Sequence, residues 1–132
     1  MGLKNMSLLT GGTNSAAGGA ALVFADDGTT ITNGVHLVVP ATADYRVRQS
    51  CTAKYRAPRI LVDGTYTRDS KSISYNVPLI LATGKVVNNV IRVEREVHPE
   101  MSAAAVLDLN TILAQMLFDT DTTNFWAAGS LT

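Results

Sequence analysis

Residues 44–56, DYRVRQSCTAKYR, alternate with a period of two. Even positions carry Arg46, Arg48, Ser50, Thr52, Lys54 and Arg56, and odd positions carry Tyr45, Val47, Gln49, Cys51, Ala53 and Tyr55. Successive side chains of an extended chain point to opposite faces, so the spacing predicts a strand with one cationic, hydroxylated face and one more apolar face. A merely solvated sheet face mixes both charge signs. Here the even set has four cations, two small hydroxyls and no carboxylate, the composition of a surface that meets phosphate.

The flanking sequence reads as further strands. Asn33-Gly34 forms a turn signal before the β-branched run VHLVVP, which Pro40 stops. RILVDGTYTR at 59–68 is expected as another strand, with Gly64 as a bulge or close-approach point. VVNNVIRVEREV at 86–97 alternates again, Ile91, Val93 and Val97 against Arg92, Glu94 and Glu96, with Arg95 interrupting the apolar side. Residues 69–85, DSKSISYNVPLILATGK, are compatible with a strand through Ile80 or with one long loop. Towards the N-terminus, Met6–Thr10 and Ala20–Ala25 read as a hairpin around GGTNSAAGG, closed by the turn ADDG.

At Pro99 the period changes. Proline followed by Glu100 suits a first helical turn, and Val106, Leu109, Leu113 and Met116 recur at spacings of three and four. A helix over roughly 100–118 would be about 28 Å long. FDTDTTN breaks it, with Asp121 or Thr123 as cap of a short second helix through Trp126 that ends near Gly129.

The expected fold class is therefore α+β in a single 132-residue domain: an N-terminal β-hairpin (6–31), an antiparallel sheet of about five strands (34–97) and two C-terminal helices (99–128). One long helix and a stub cannot cover such a sheet or protect its edges, so an intertwined homodimer is expected, with Val106, Leu109, Leu113 and Met116 at the interface. Composition agrees: 46% of residues are hydrophobic and 17% charged, against roughly 25% charged in an ordinary soluble domain.

Formal net charge is zero, but its distribution is uneven. Residues 45–95 hold ten of the eleven basic residues and three of the eleven acidic ones. This segregation points to an anionic partner for the middle of the chain. Cys51 is the lone cysteine, which excludes an intrachain disulfide, and no apolar stretch reaches membrane-spanning length. The first fifteen residues lack a signal-peptide layout, so neither secretion nor a membrane partner is expected.

The order of these elements resembles the coat proteins of the single-stranded RNA bacteriophages, the leviviruses. TNGV at 32–35 resembles a family turn entering the first main strand; YRVRQS and KYR resemble its central strand region. VIRVEREV, His98-Pro99-Glu100 and LDLNTILAQML resemble its last strand and first helix, so the likeness spans Ile31 to Leu117. The resemblance implies a homodimer whose sheets join edge to edge, whose helices cross the partner's sheet on the outer side, and which assembles into an icosahedral shell around genomic RNA. It also implies an RNA hairpin gripped by the inner face as a translational repressor, synthesis in the host cytoplasm and residence in the virion. By strand register the expected RNA-binding set is Arg46, Arg48, Ser50, Thr52 and Lys54, with Arg59 and Leu61 on the next strand and Arg92 and Glu94 on the last. Leu61 and Glu94 depart from the polar or basic residues expected there. The loop that shapes subunit contacts in the family is placed within 69–85, without cysteines to cross-link it.

Two rival functions fit the residues less well. An enzyme would need Cys51 with His36 or His98, but Cys51 falls on the apolar parity and no Gly-rich elbow or helix start presents it. The two histidines lack metal-ligand spacing, so no metal, cofactor or small-molecule substrate is expected. A homodimeric RNA-binding protein that builds no shell would interleave aromatics with its cations for base stacking, whereas Tyr45 and Tyr55 lie on the other parity.

Overall fold

The computed structural model describes Lys4, Met6 and residues 22–131. It contains strands β1 (Ala25–Ile31), β2 (Gly34–Val38), β3 (Ser50–Arg56), β4 (Asp69–Ile80) and β5 (Val86–Val97), then helices α1 (Ala103–Phe118) and α2 (Thr123–Ala128). The chain divides into two compact units, one over Ala20–Pro99 and one holding the segment from Glu100 onward.

The first unit is a five-stranded antiparallel meander in the order β1-β2-β3-β4-β5. Thr32-Asn33 makes a two-residue turn between paired Ile31 and Gly34, with Asn33 at φ 57°, a left-handed conformation that asparagine tolerates. Gly34 is required by a close approach, since a Cβ there would sit 2.5 Å from the Ala53 carbonyl oxygen. Leu81 N–H donates to Lys85 O, Gly84 N–H to Leu81 O, and Gly84 has φ 86°: a three-residue turn joins the two long strands β4 and β5.

Several sequence expectations change. The anticipated strand Met6–Thr10 lies largely outside the described residues, and ADDG does not close a hairpin. Its residues open β1 instead, where the register with β2 shifts between Asp26 and Thr30. The turn chemistry survives as a bulge: Asp26 and Asp27 accept from the Gly28 and Thr29 amides, and the Thr29 amide holds the Asp27 carboxyl below the ordinary carboxylate range. Tyr45–Val47 is a 3-10 turn, not strand, because Asp44 caps it by accepting from the Arg46 amide. Residues 59–68 do not join the sheet. Leu61–Thr65 forms the same kind of tight turn as 81–85, with Gly64 at φ 84° and a single bridge between Ile60 and Tyr66.

The open question over 69–85 resolves as twelve residues of β4, leaving 81–85 as the loop between the last two strands. Pro78 is tolerated there because β3 pairing ends at Ser50↔Asn76, so the missing N–H costs no ladder bond.

In the second unit α1 begins three residues later than expected. Ser102 is its N-cap, Oγ accepting from the Ala105 amide at 3.2 Å, and Pro99-Glu100 lies in the preceding turn. Thr122 occupies the N-cap of α2, and Gly129 ends it at φ 70°. Trp126 Nε1 donates to Met116 O at 2.8 Å and ties α2 to the end of α1.

Burial is sparse throughout. Among the described residues the buried hydrophobic side chains are Val39 and Val97, at 5% and 8% exposure. Within α1, Val106 and Leu109 are half-buried, whereas Leu113 and Met116 are exposed. Leu107, Leu117 and Phe118, off the expected stripe, are exposed too, so α1 is apolar around most of its circumference.

Candidate nucleic-acid interface

Antiparallel register fixes which side chains share a face, because directly paired residues point the same way. Thr52 pairs with His36 and Ser74, and Ser74 with Arg92; Lys54 pairs with Gly34 and Ser72, and Ser72 with Glu94. Arg56 pairs with Ser70, and Ser70 with Glu96. One face thus carries hydroxyls across β3 and β4 flanked by Lys54, Arg56 and Arg92. Thr52, Lys54, Ser72, Ser74, Arg92 and Glu94 line a recess of about 380 Å³ in it.

Polar contacts sort these residues by availability. Arg56 and Arg68 both reach Glu96, at 3.3 and 3.0 Å, and compensate its charge. Glu94 receives the Ser70 hydroxyl at 3.3 Å. His36 Nδ1 lies 2.9 Å from Thr52 Oγ1, and its Nε2 3.6 Å from Asp27. Lys54 and Arg92 are exposed and form no ion pair among the described residues, which leaves them able to meet an external anion.

The opposite face is apolar over its middle, with Asp69, Lys71 and Arg95 sharing it towards one end and Asn89 towards the other. It carries Val35, Leu37, Cys51, Ala53, Ile73, Tyr75, Val77, Ile91 and Val93 in register, and Ile91 is 64% exposed. The Tyr75 hydroxyl donates to Gln49 Oε1, and its ring meets Phe24 edge-on.

The residues expected to bind RNA therefore separate. Ser50, Thr52, Lys54, Arg92 and Glu94 lie on one sheet face, as their parity requires. Arg46 and Arg48 do not share it through the β3 register, since both precede the strand. Arg46 is paired with Asp44 at 3.1 Å, and the Arg46 guanidinium holds the Asp44 carboxyl below its ordinary range. Arg48 donates to Thr42 O and stacks over the Tyr45 ring, 4.6 Å from its centroid. Arg59 and Leu61 belong to the tight turn outside the sheet. Ser70, Ser72, Ser74 and His36 join the face, although the sequence pattern did not single them out. For the serines the signal was their recurrence at every second position of SKSISYN, visible once 69–80 is read as strand.

No protein-family model matches the sequence, and none of the curated proteins does. Solved structures do. The fold superposes on a chain of the virus-like particle of bacteriophage GQ-907 with a TM-score of 0.88 and 35% identity, covering 98% of this chain and 99% of that one. A chain from the virus-like particle of Wenzhou levi-like virus 4 aligns at TM-score 0.70 and 18% identity over 91% of this chain and 84% of that one. One from bacteriophage AVE019 aligns at 0.64 and 8% over 83% and 86%. The latter two show the shared fold alone, whereas the first extends the likeness to sequence over nearly the whole of both chains. A meander of five antiparallel strands followed by two helices, matched at that identity to a phage particle subunit, places this chain in the coat-protein family of the single-stranded RNA bacteriophages.

Proposed function

We propose that the chain is a structural, non-enzymatic subunit that dimerises, assembles into an icosahedral shell and holds single-stranded RNA against the hydroxyl and cation face of its sheet. The observation that carries the assembly reading is the 35% identity to a virus-like-particle chain across 98% of the sequence. Exposure supports it: an apolar sheet face and a helix apolar on most sides need a covering surface, which a second copy supplies. Val106, Leu109, Leu113 and Met116 are the helix residues assigned to that interface, over the partner's apolar sheet face.

The RNA reading rests on the face opposite. Lys54 and Arg92 supply charge that no ion pair among the described residues compensates, while Thr52, Ser72 and Ser74 supply short donors and acceptors for phosphate, ribose or base edges. Ser50 extends that row towards the end of β3. Arg46, Arg48, Arg59 and Leu61 can touch RNA only from outside this row. Genome packaging and capture of a repressor hairpin are proposed for the same face, with synthesis in the bacterial cytoplasm and residence in the virion. Expression in bacteria followed by nuclease treatment and electron microscopy tests the reading. Closed particles that protect host RNA are expected; dimers that bind RNA and never form particles would favour the non-capsid alternative.

A further inference from the structure

His36, half-buried on β2, lies between two groups that fix which of its ring nitrogens carries the proton. Its Nε2 faces Asp27 Oδ2 at 3.6 Å and its Nδ1 faces Thr52 Oγ1 at 2.9 Å. Asp27 is a carboxylate and only accepts: the Thr29 amide donates to its Oδ1 at 2.9 Å and holds its carboxyl below the ordinary range. At 3.6 Å the ring makes no hydrogen bond to Oδ2, yet charge still chooses the tautomer. An Nε2–H dipole is attracted by the carboxylate, whereas an Nε2 lone pair is repelled. Nδ1 of the neutral ring then carries no proton and accepts one, so Thr52 donates to His36.

Thr52 also lines the recess that it shares with Lys54, Ser72, Ser74, Arg92 and Glu94. A hydroxyl has one proton and two lone pairs. With the proton committed to His36, Thr52 offers the recess an acceptor alone. On this face the charged neighbours of the ring are Asp27 from β1 and, one pair along from Thr52, Lys54 from β3; Asp26 pairs with Leu37 and falls on the other face.

We infer that His36 is a positioning residue for RNA recognition: through Thr52 it makes the recess select a hydrogen-bond donor of the RNA, a ribose 2′-hydroxyl or an exocyclic base amine, over an acceptor. This rests on the RNA face proposed above. Protonation reverses the selection. Both nitrogens of an imidazolium are donors, so Nδ1–H donates to Thr52 Oγ1 and the threonine proton turns into the recess.

Three single-stranded probes test it: an all-purine RNA, the same RNA with 2′-fluoro riboses that cannot donate, and the same RNA with inosine for guanosine and nebularine for adenosine, which removes the base amines. All carry the same phosphates, so the ratio of affinities cancels the charge that protonation adds, and a His36 that only braced the sheet would move all three alike. At about pH 8 at least one modified RNA is expected to bind the wild-type protein roughly tenfold more weakly than the unmodified one, and which one it is identifies the donor. That ratio should fall below about threefold near pH 5 and in His36→Ala, and approach one in the near-isosteric Thr52→Val at every pH. Equal wild-type binding of all three probes would overturn the inference, as would a ratio unchanged by pH or by Thr52→Val. A ratio that survives intact in His36→Ala would leave Thr52 as an RNA contact and overturn the part given to His36. If His36→Ala fails to fold, the wild-type pH profile and Thr52→Val still decide. A protein that binds none of the RNAs would overturn the RNA face itself.

Discussion

Replacing Lys54 by alanine separates the RNA face from the packing face within one strand. Lys54 is exposed, pairs with Ser72 through backbone and forms no ion pair among the described residues, so its removal strands no partner. Folding stability should move by no more than about 0.5 kcal/mol. Removing one phosphate-binding cation flattens the slope of log affinity against log salt by about 0.7 to 0.9. A twofold dimer presents Lys54 twice, so an RNA spanning both copies should show up to roughly twice that change. Gln49→Ala is the control. It removes the acceptor of the Tyr75 hydroxyl on the apolar side and should cost about 1–3 kcal/mol of stability without changing the salt slope. RNA titrations at several salt concentrations, paired with thermal melts, read both quantities. If Gln49→Ala flattened the slope while Lys54→Ala left it unchanged, the two faces would be reversed and the reasoning from register refuted.

Other outcomes follow from the same geometry. Leu109→Asp and Leu113→Asp should each abolish dimers and particles, measured by native mass and sedimentation, because an unpaired charge would enter the surface assigned to the partner. Gly34→Ala should lower stability by about 1–3 kcal/mol in melting experiments, since its Cβ would collide with the Ala53 carbonyl oxygen 2.5 Å away. With so little apolar surface buried within one chain, folding should be coupled to dimerisation, so Tm of dimers released from particles should rise with protein concentration.

Where periodicity was uninterrupted, the fold was legible. Residues 50–56 and 86–97 fall on the strands their alternation predicts, and α1 carries Val106, Leu109, Leu113 and Met116 on one run of helix. Alternation misled where local polar bonding competed with it. Asp44 captures the Arg46 amide and guanidinium, so two cations in phase with β3 belong to a turn. The Asp63-Gly64 pair within RILVDGTYTR was a stronger signal than the flanking β-branched residues, because φ 84° at Gly64 reverses the chain. In 69–80 serine recurs at 70, 72 and 74, but the flanking Ser, Asn and Gly read equally well as loop ends; the length of β3 shows that the nitrogen of Pro78 faces no partner. Side-chain engagement was legible nowhere in the sequence. Glu96 and Glu94 read alike there, yet one is held by two arginines and the other by a serine hydroxyl.

Cryo-electron microscopy of purified particles tests the central claim most directly. The account predicts closed shells in which RNA density lies against Thr52, Lys54, Ser72 and Ser74 on the inner surface, with Val35, Ile73 and Ile91 covered by helices of the partner subunit. RNA density against the apolar face, or shells whose inner surface is formed by the helices, would contradict it.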